Sequence, residues 1–190
     1  DGWWSRGLGD VYKRQGIKFS LLILGGDGIG YFYSKSEWLD LINNFSSFCK
    51  LRQTNPLFIT SRRTPIEVEE LIKEKFDVSM SVLYHSEKAR GKFDHLLYVA
   101  DNIFVTEDSS TMLSEAVSSG KKVISIFPQN INAPEKYLQI ITKYQGLEFI
   151  ERCSIENIDK FTFPRETNIQ DKVDSSRKNF QRSLVERLKD

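Results

Sequence analysis

The chain reads as an α/β protein: a mostly parallel sheet covered by helices on both faces. Two observations predict this. Apolar, β-rich runs alternate with amphipathic helical stretches about six times along the sequence. The clearest of those runs, Phe19 to Leu24 and Val123 to Phe127, are continuously apolar, as strands buried on both sides must be. With 190 residues the chain can bury one substantial core. Its net charge of +1 sets up no global field toward nucleic acid or an anionic membrane, so no nucleic-acid partner is expected. Two cysteines, Cys49 and Cys153, form no disulfide framework and no metal-site spacing. No apolar run approaches the length of a membrane span.

The elements follow in order. Asp1 to Gln15 has no periodicity and sets tryptophans beside glycines. It lacks the apolar core of a signal peptide and reads as a translated adaptor scar, so residues 1–15 are expected to be foreign and 16–190 to form the single domain. The native chain is then expected to continue upstream. Phe19 to Leu24 forms the first strand and ends in Gly25-Gly26-Asp27-Gly28-Ile29-Gly30, whose spacing is not that of a dinucleotide fingerprint. A turn needing positive φ is the plain reading of Gly25 and Gly26. Glu37 to Phe48 is an amphipathic helix with Trp38, Leu41, Ile42 and Phe45 on one face. Leu57 to Thr60 is the second strand. In Thr64-Pro65-Ile66-Glu67 the threonine is placed to cap, the proline to fill the first turn and Glu67 to close a capping box. Ser61, Arg62 and Arg63 therefore sit on a short strand-to-helix loop at the carboxyl edge of the sheet.

The helix continues to Phe76, and Val78 to Tyr84 is expected to be a third strand. A polar loop from His85 to Lys92 leads to a helix over Phe93 to Ala100. His85 could touch a base or phosphate, or simply be exposed. Ala133 to Tyr144 is a helix with Tyr137, Ile140, Ile141 and Tyr144 inward, stopped by Gly146. Leu147 to Ile150 is the last expected strand, Ile155 to Phe161 a short helix or turn, and Asp171 to Leu188 a terminal helix.

The informative stretch is Val105-Thr106-Glu107-Asp108-Ser109-Ser110-Thr111 through Glu115 to Gly120. It predicts a strand end, a polar turn, a short helix and a glycine stop. Asp108 or Ser109 can cap the helix, since their oxygens accept unpaired backbone N–H groups, and capping is the expected role of Asp108. Leu113, Ala116 and Val117 face the sheet. Gly120 stands where a helix needs a left-handed residue. Thr111 and Glu115 share another face, toward the crevice at the strand ends where such sheets bind ligands.

The spacing Thr111-x-x-x-Glu115-Ala116-x-x-x-Gly120-x-x-Val123 resembles the donor-site helix in the C-terminal domain of GT-B-fold glycosyltransferases. Together with Thr106-Glu107-Asp108-Ser109 and Thr60-Ser61-Arg62-Arg63-Thr64-Pro65, the chain resembles the mitochondrial-fission "elongated mitochondria" family and its bacterial relatives. The resemblance implies a Rossmann-like domain, the C-terminal half of a GT-B fold, that binds the nucleotide-diphospho-sugar donor without a metal or cofactor. Glu115 would hold the ribose. The amides of Ser109, Ser110 and Thr111, at a helix N-terminus, and the Arg62 and Arg63 guanidinium groups would meet the diphosphate. Gly25 and Gly26 would bring backbone close to the donor or acceptor sugar, and Ser61, on the arginine loop, is counted among the substrate-binding residues. Glu107 and Asp108 carry two carboxylates to the same end, where they would repel a diphosphate unless they point aside or bind sugar hydroxyls. Glu107 and Glu115, with seven residues between them, also resemble the paired glutamates of some retaining glycosyltransferases.

No catalytic residue is assigned, because no nucleophile–base pair is visible and the base of inverting GT-B enzymes usually lies on the other domain. The fragment alone is expected to lack turnover. The implied partners are a nucleotide-sugar, an N-terminal domain of the same protein and a peripheral membrane contact through the parent chain, with a cytoplasmic location. Two other readings stand beside it: an adaptor that recruits a membrane-fission GTPase, and a nucleotide-sugar 2-epimerase of the same fold.

Overall fold

Residues 16–86, 91–162 and 169–175 are described in the computed structural model of the chain. Five parallel strands form the sheet: β1 (Phe19–Ile23), β3 (Asn55–Ile59), β4 (Asn102–Thr106), β5 (Val123–Phe127) and β7 (Ile150–Ser154), in the order β3-β1-β4-β5-β7. All five residues of β1 are buried, so the centre of the sheet is covered on both faces, and its continuous apolar sequence follows from that. Register places Leu22 beside Phe58 and Phe104. Helix α1 (Lys35–Arg52) packs there, with Phe45 edge-on to both Phe58 and Phe104.

Helix α1 begins at Ser34, whose hydroxyl accepts the Glu37 amide while the Glu37 carboxylate accepts the Ser34 amide. It ends at Gln53, held in the left-handed region. Helix α2 (Ile66–Lys75) follows β3, α3 (Phe93–Val99) precedes β4, α4 (Ser110–Ser118) links β4 to β5, and α5 (Glu135–Gly146) precedes β7. The backbone is again helical over 169–175, where Ile169 and Val173 are buried. The rest of the expected terminal helix, like residues 1–15, expected to be foreign, lies outside the described residues.

Several expectations are corrected. Val78 to Tyr84 is not a strand: it makes turns and a single parallel bridge, Val82 to Ile59. The last strand begins at Ile150 rather than Leu147, because Glu148 is held at φ 59 and breaks extension before it. Gly146 is the final helical residue of α5, and Ile140 faces outward. A small antiparallel ribbon, β2 (Tyr31–Phe32) with β6 (Asn130–Ile131), was not foreseen. Among the described residues no helix is long and apolar enough to cross a membrane.

Candidate functional site

Strands β3, β1 and β4 are neighbours, so the loops leaving their carboxyl ends meet at one rim. The three loops are laced together. Gly25 donates its amide to Thr106 Oγ1 at 2.8 Å and Gly26 to Asp108 Oδ2 at 2.9 Å. Ser61 Oγ donates to the Gly25 carbonyl at 3.0 Å. The Thr64 hydroxyl sits between the carbonyls of Leu24 and Gly25. That position corrects the capping reading. Thr64 reaches across to the β1 loop, Pro65 occupies the cap position of α2, and no side chain caps that helix.

The glycines are explained by crowding rather than by turn geometry. Neither Gly25 nor Gly26 is among the residues of positive φ. A Cβ at Gly25 would lie 1.9 Å from Asp108 Oδ2, and one at Gly26 2.2 Å from the Arg63 carbonyl oxygen. Both glycines are buried, and the atoms they approach so closely belong to the protein itself.

Glu107 and Asp108 both point inward, with no exposed surface. The Glu107 carboxylate accepts from Arg152 Nε at 2.7 Å and Nη2 at 2.8 Å, from Ser125 Oγ at 2.7 Å and from the Tyr31 hydroxyl at 3.0 Å. The Arg152 guanidinium lies over the Phe127 ring, 4.4 Å from its centroid. Hydrogen bonding to Glu107 pushes the Arg152 pKa up, and burial beside that carboxylate pushes the Tyr31 phenol well above its ordinary value. Asp108 Oδ2 meets Arg63 Nη2 at 2.8 Å. Burial raises the Asp108 pKa, against the pull of Thr106, the Gly26 amide and the Arg63 guanidinium. Two roles are therefore corrected. Asp108 does not cap α4; Ser109 does, accepting the Met112 amide. Glu107 does not line the rim, because every hydrogen bond it makes is to the protein interior.

The two arginines differ. Arg63 is a clamp: besides Asp108 it donates from Nη1 to the Asp27 carbonyl at 3.1 Å, joining the loops of β1, β3 and β4. Arg62 is exposed and, among the described residues, has no partner. Ser109, Ser110 and Thr111 open α4, and among the described residues no group accepts the amides of Ser110 and Thr111. Glu115 is exposed farther along α4 and lines a cavity of about 400 Å³ between α3 and α4, together with Phe93, Asp94, Tyr98 and Lys121. Arg62 and Arg63 do not line that cavity. The single slot expected of Arg62, Arg63 and Glu115 is thus two surfaces joined by α4: an arginine and amide rim at its start, and a groove along its side.

Some participants were invisible in the sequence. Arg152 lies 45 residues from Glu107 and Tyr137, whose hydroxyl donates to the Glu107 carbonyl, lies 30 away, with no local pattern linking them. Asp27 and Tyr33 could have been noticed, since they follow the glycine turn directly. Buried Glu69 accepts from the Thr60 hydroxyl and the His85 amide, which anchors the exposed His85 loop to β3.

A parallel α/β sheet whose loops gather at its carboxyl edge defines a Rossmann-like domain. The chain belongs to the mitochondrial fission ELM1 family, whose model matches residues 8–153. It is 32% identical over 122 residues to an uncharacterized protein, RP120, of Rickettsia prowazekii (strain Madrid E). That match takes in 61% of this chain and 33% of the relative, so the chain spans about a third of the relative's length. Among solved structures it is similar to the C-terminal domain of a glycosyl transferase group 1 family protein (LpcC) from Francisella tularensis. The identity is 14% and the TM-score 0.38, over 87% of this chain and 90% of that one.

Proposed function

We propose that this domain binds the nucleotide-diphospho-sugar donor of a metal-independent glycosyltransferase, with the diphosphate at the start of α4 and the ribose against Glu115. One observation carries the reading. Both carboxylates at the α4 N-terminus are turned inward and matched by guanidinium groups, Glu107 by Arg152 and Asp108 by Arg63. The repulsion that the sequence alone would impose on a diphosphate is therefore neutralised. What remains outward is the positive end of α4, with the amides of Ser110 and Thr111, and the exposed Arg62. A leaving diphosphate can be stabilised by such groups without a metal.

The test is calorimetric titration of the purified chain with UDP, GDP and ADP. One of these should bind. Arg62→Ala and Glu115→Ala should each weaken it about tenfold, the scale of one charge-assisted hydrogen bond. Equal affinity in wild type and both variants would count against the proposal.

Membership of a family named for mitochondrial fission favours a second reading, an adaptor that recruits a membrane-fission GTPase. That reading expects partner capture to survive Arg62→Ala and Glu115→Ala.

A further inference from the structure

We infer that Asp27 is a specificity-determining residue that accepts hydrogen bonds from hydroxyls of the donor's sugar, an inference that rests on the donor-binding reading above.

Three carboxylates stand near the carboxyl ends of neighbouring strands, Asp27 on the loop after β1 and Glu107 and Asp108 just past β4. Glu107 and Asp108 are each paired with an arginine. Asp27 is exposed and has no cation among the described residues. An unmatched carboxylate opposes the charged part of a diphosphate ligand. It favours the part of the same ligand that donates hydrogen bonds and bears no charge, which in a nucleotide-sugar is the hydroxyl-rich sugar.

Asp27 is also held rather than loose. Its Oδ1 accepts the Tyr33 amide at 3.0 Å, its carbonyl accepts Arg63 Nη1 at 3.1 Å, and the preceding Gly26 amide is bound to Asp108. Its Oδ2 has no partner among the described residues. The next four residues make a tight turn closed by two bonds, Gly28 N to Tyr31 O at 3.1 Å and Tyr31 N to Gly28 O at 2.9 Å. At its tip Ile29 sits at φ 49 and Gly30 at φ 79. A β-branched residue in the left-handed region is strained, and such strain persists only where surrounding contacts over-determine it. Here they do. The Gly30 carbonyl is bound by the Asn132 amide at 2.7 Å, and a Cβ on Gly28 would lie 1.7 Å from Arg63 Nη1. Asp27 is thus fixed on the loop after β1 beside the Arg63 clamp, with one carboxylate oxygen left over among the described residues.

The test compares matched pairs of probes on the purified chain: UDP with UDP-glucose, UDP with UDP-N-acetylglucosamine, and GDP with GDP-mannose. In wild type one nucleotide-sugar should bind more tightly than its bare diphosphate. Asp27→Ala should weaken the nucleotide-sugar about tenfold, while the bare diphosphate binds equally well or better, because a like charge has gone. Asp27→Asn retains an acceptor for the Tyr33 amide. It should keep the wild-type melting temperature and still lose the sugar preference, which separates loss of the charge from loss of the loop. Equal weakening of both ligands, or no change in either, overturns the assignment of Asp27 and leaves the donor reading standing. Wild type that binds no probe overturns the donor reading and this inference with it.

Discussion

Glu107 and Arg152 form a two-contact ion pair, 2.7 Å and 2.8 Å, with the carboxylate sealed from solvent and the guanidinium lying against Phe127. The pair joins the carboxyl end of β4 to the middle of β7 across β5, where Ser125 adds its hydroxyl to the same carboxylate. Removing one partner would leave a buried charge with only neutral donors. Arg152→Ala is therefore expected to destabilise the domain by about 3 kcal/mol, whereas Arg152→Met combined with Glu107→Gln should lose much less. Urea unfolding of the three proteins checks this. A double variant as unstable as the single one would mean that packing around Arg152, rather than its charge, is what matters.

The two arginines of the β3 loop should separate cleanly. Arg63 holds buried Asp108 and the Asp27 carbonyl, so Arg63→Ala is expected to lower stability by about 2 kcal/mol. Its guanidinium is about one-third exposed, which moderates the loss. Arg62 is exposed and makes no side-chain hydrogen bond or ion pair among the described residues, so Arg62→Ala should leave the melting temperature within about one degree of wild type, surface changes of this kind being small. Thermal melts of both variants decide it; equal losses would contradict the division of roles.

What was legible in the sequence follows from how local each cause is. β5 over Val123–Phe127 coincides with its apolar run, and Gly120 does take positive φ, at 75°, because a helix stop is decided by neighbouring residues. The wide parallel sheet followed from strands hydrophobic on both sides. The misreadings at the candidate site involve distant partners. Thr64 and Glu67 match a capping box in pattern, yet the Thr64 hydroxyl is taken by carbonyls 39 and 40 residues earlier. Asp108 looks like a cap until Arg63 and the Gly26 amide, 45 and 82 residues away, claim its oxygens. The β2–β6 ribbon has only two residues on each strand, too few to show an alternating pattern.

The close approach at Gly25 makes a sharper demand. With a Cβ only 1.9 Å from Asp108 Oδ2, Gly25→Ala must displace a buried carboxylate that is bonded to both Gly26 and Arg63. A loss of about 3 kcal/mol or more is expected, from overpacking together with a broken buried network. Gly146→Ala is the control. A Cβ there meets nothing within 4 Å, and the residue lies in a helix, so the change should stabilise by up to about 1 kcal/mol. Denaturant midpoints of the two variants should move in opposite directions.

Glu37 provides a pH signature at the start of α1. Partial burial would raise its carboxyl pKa, but the amides of Gln129 and Ser34 and the Ser34 hydroxyl outweigh that and hold it below the ordinary 4.5. A carboxylate whose folded pKa is depressed binds protons more readily in the unfolded chain. Its contribution is then complete above the unfolded value and fades as pH falls through the folded one. Glu37→Gln should therefore be less stable than wild type by about 1 kcal/mol at neutral pH, on the scale of a lost cap. The gap between the two proteins should close as the solution is acidified below the ordinary glutamate range. Urea titrations of both proteins across that range measure it directly. A gap that stayed constant down to full protonation would mean that the side chain acts through packing and neutral hydrogen bonds, not through its charge.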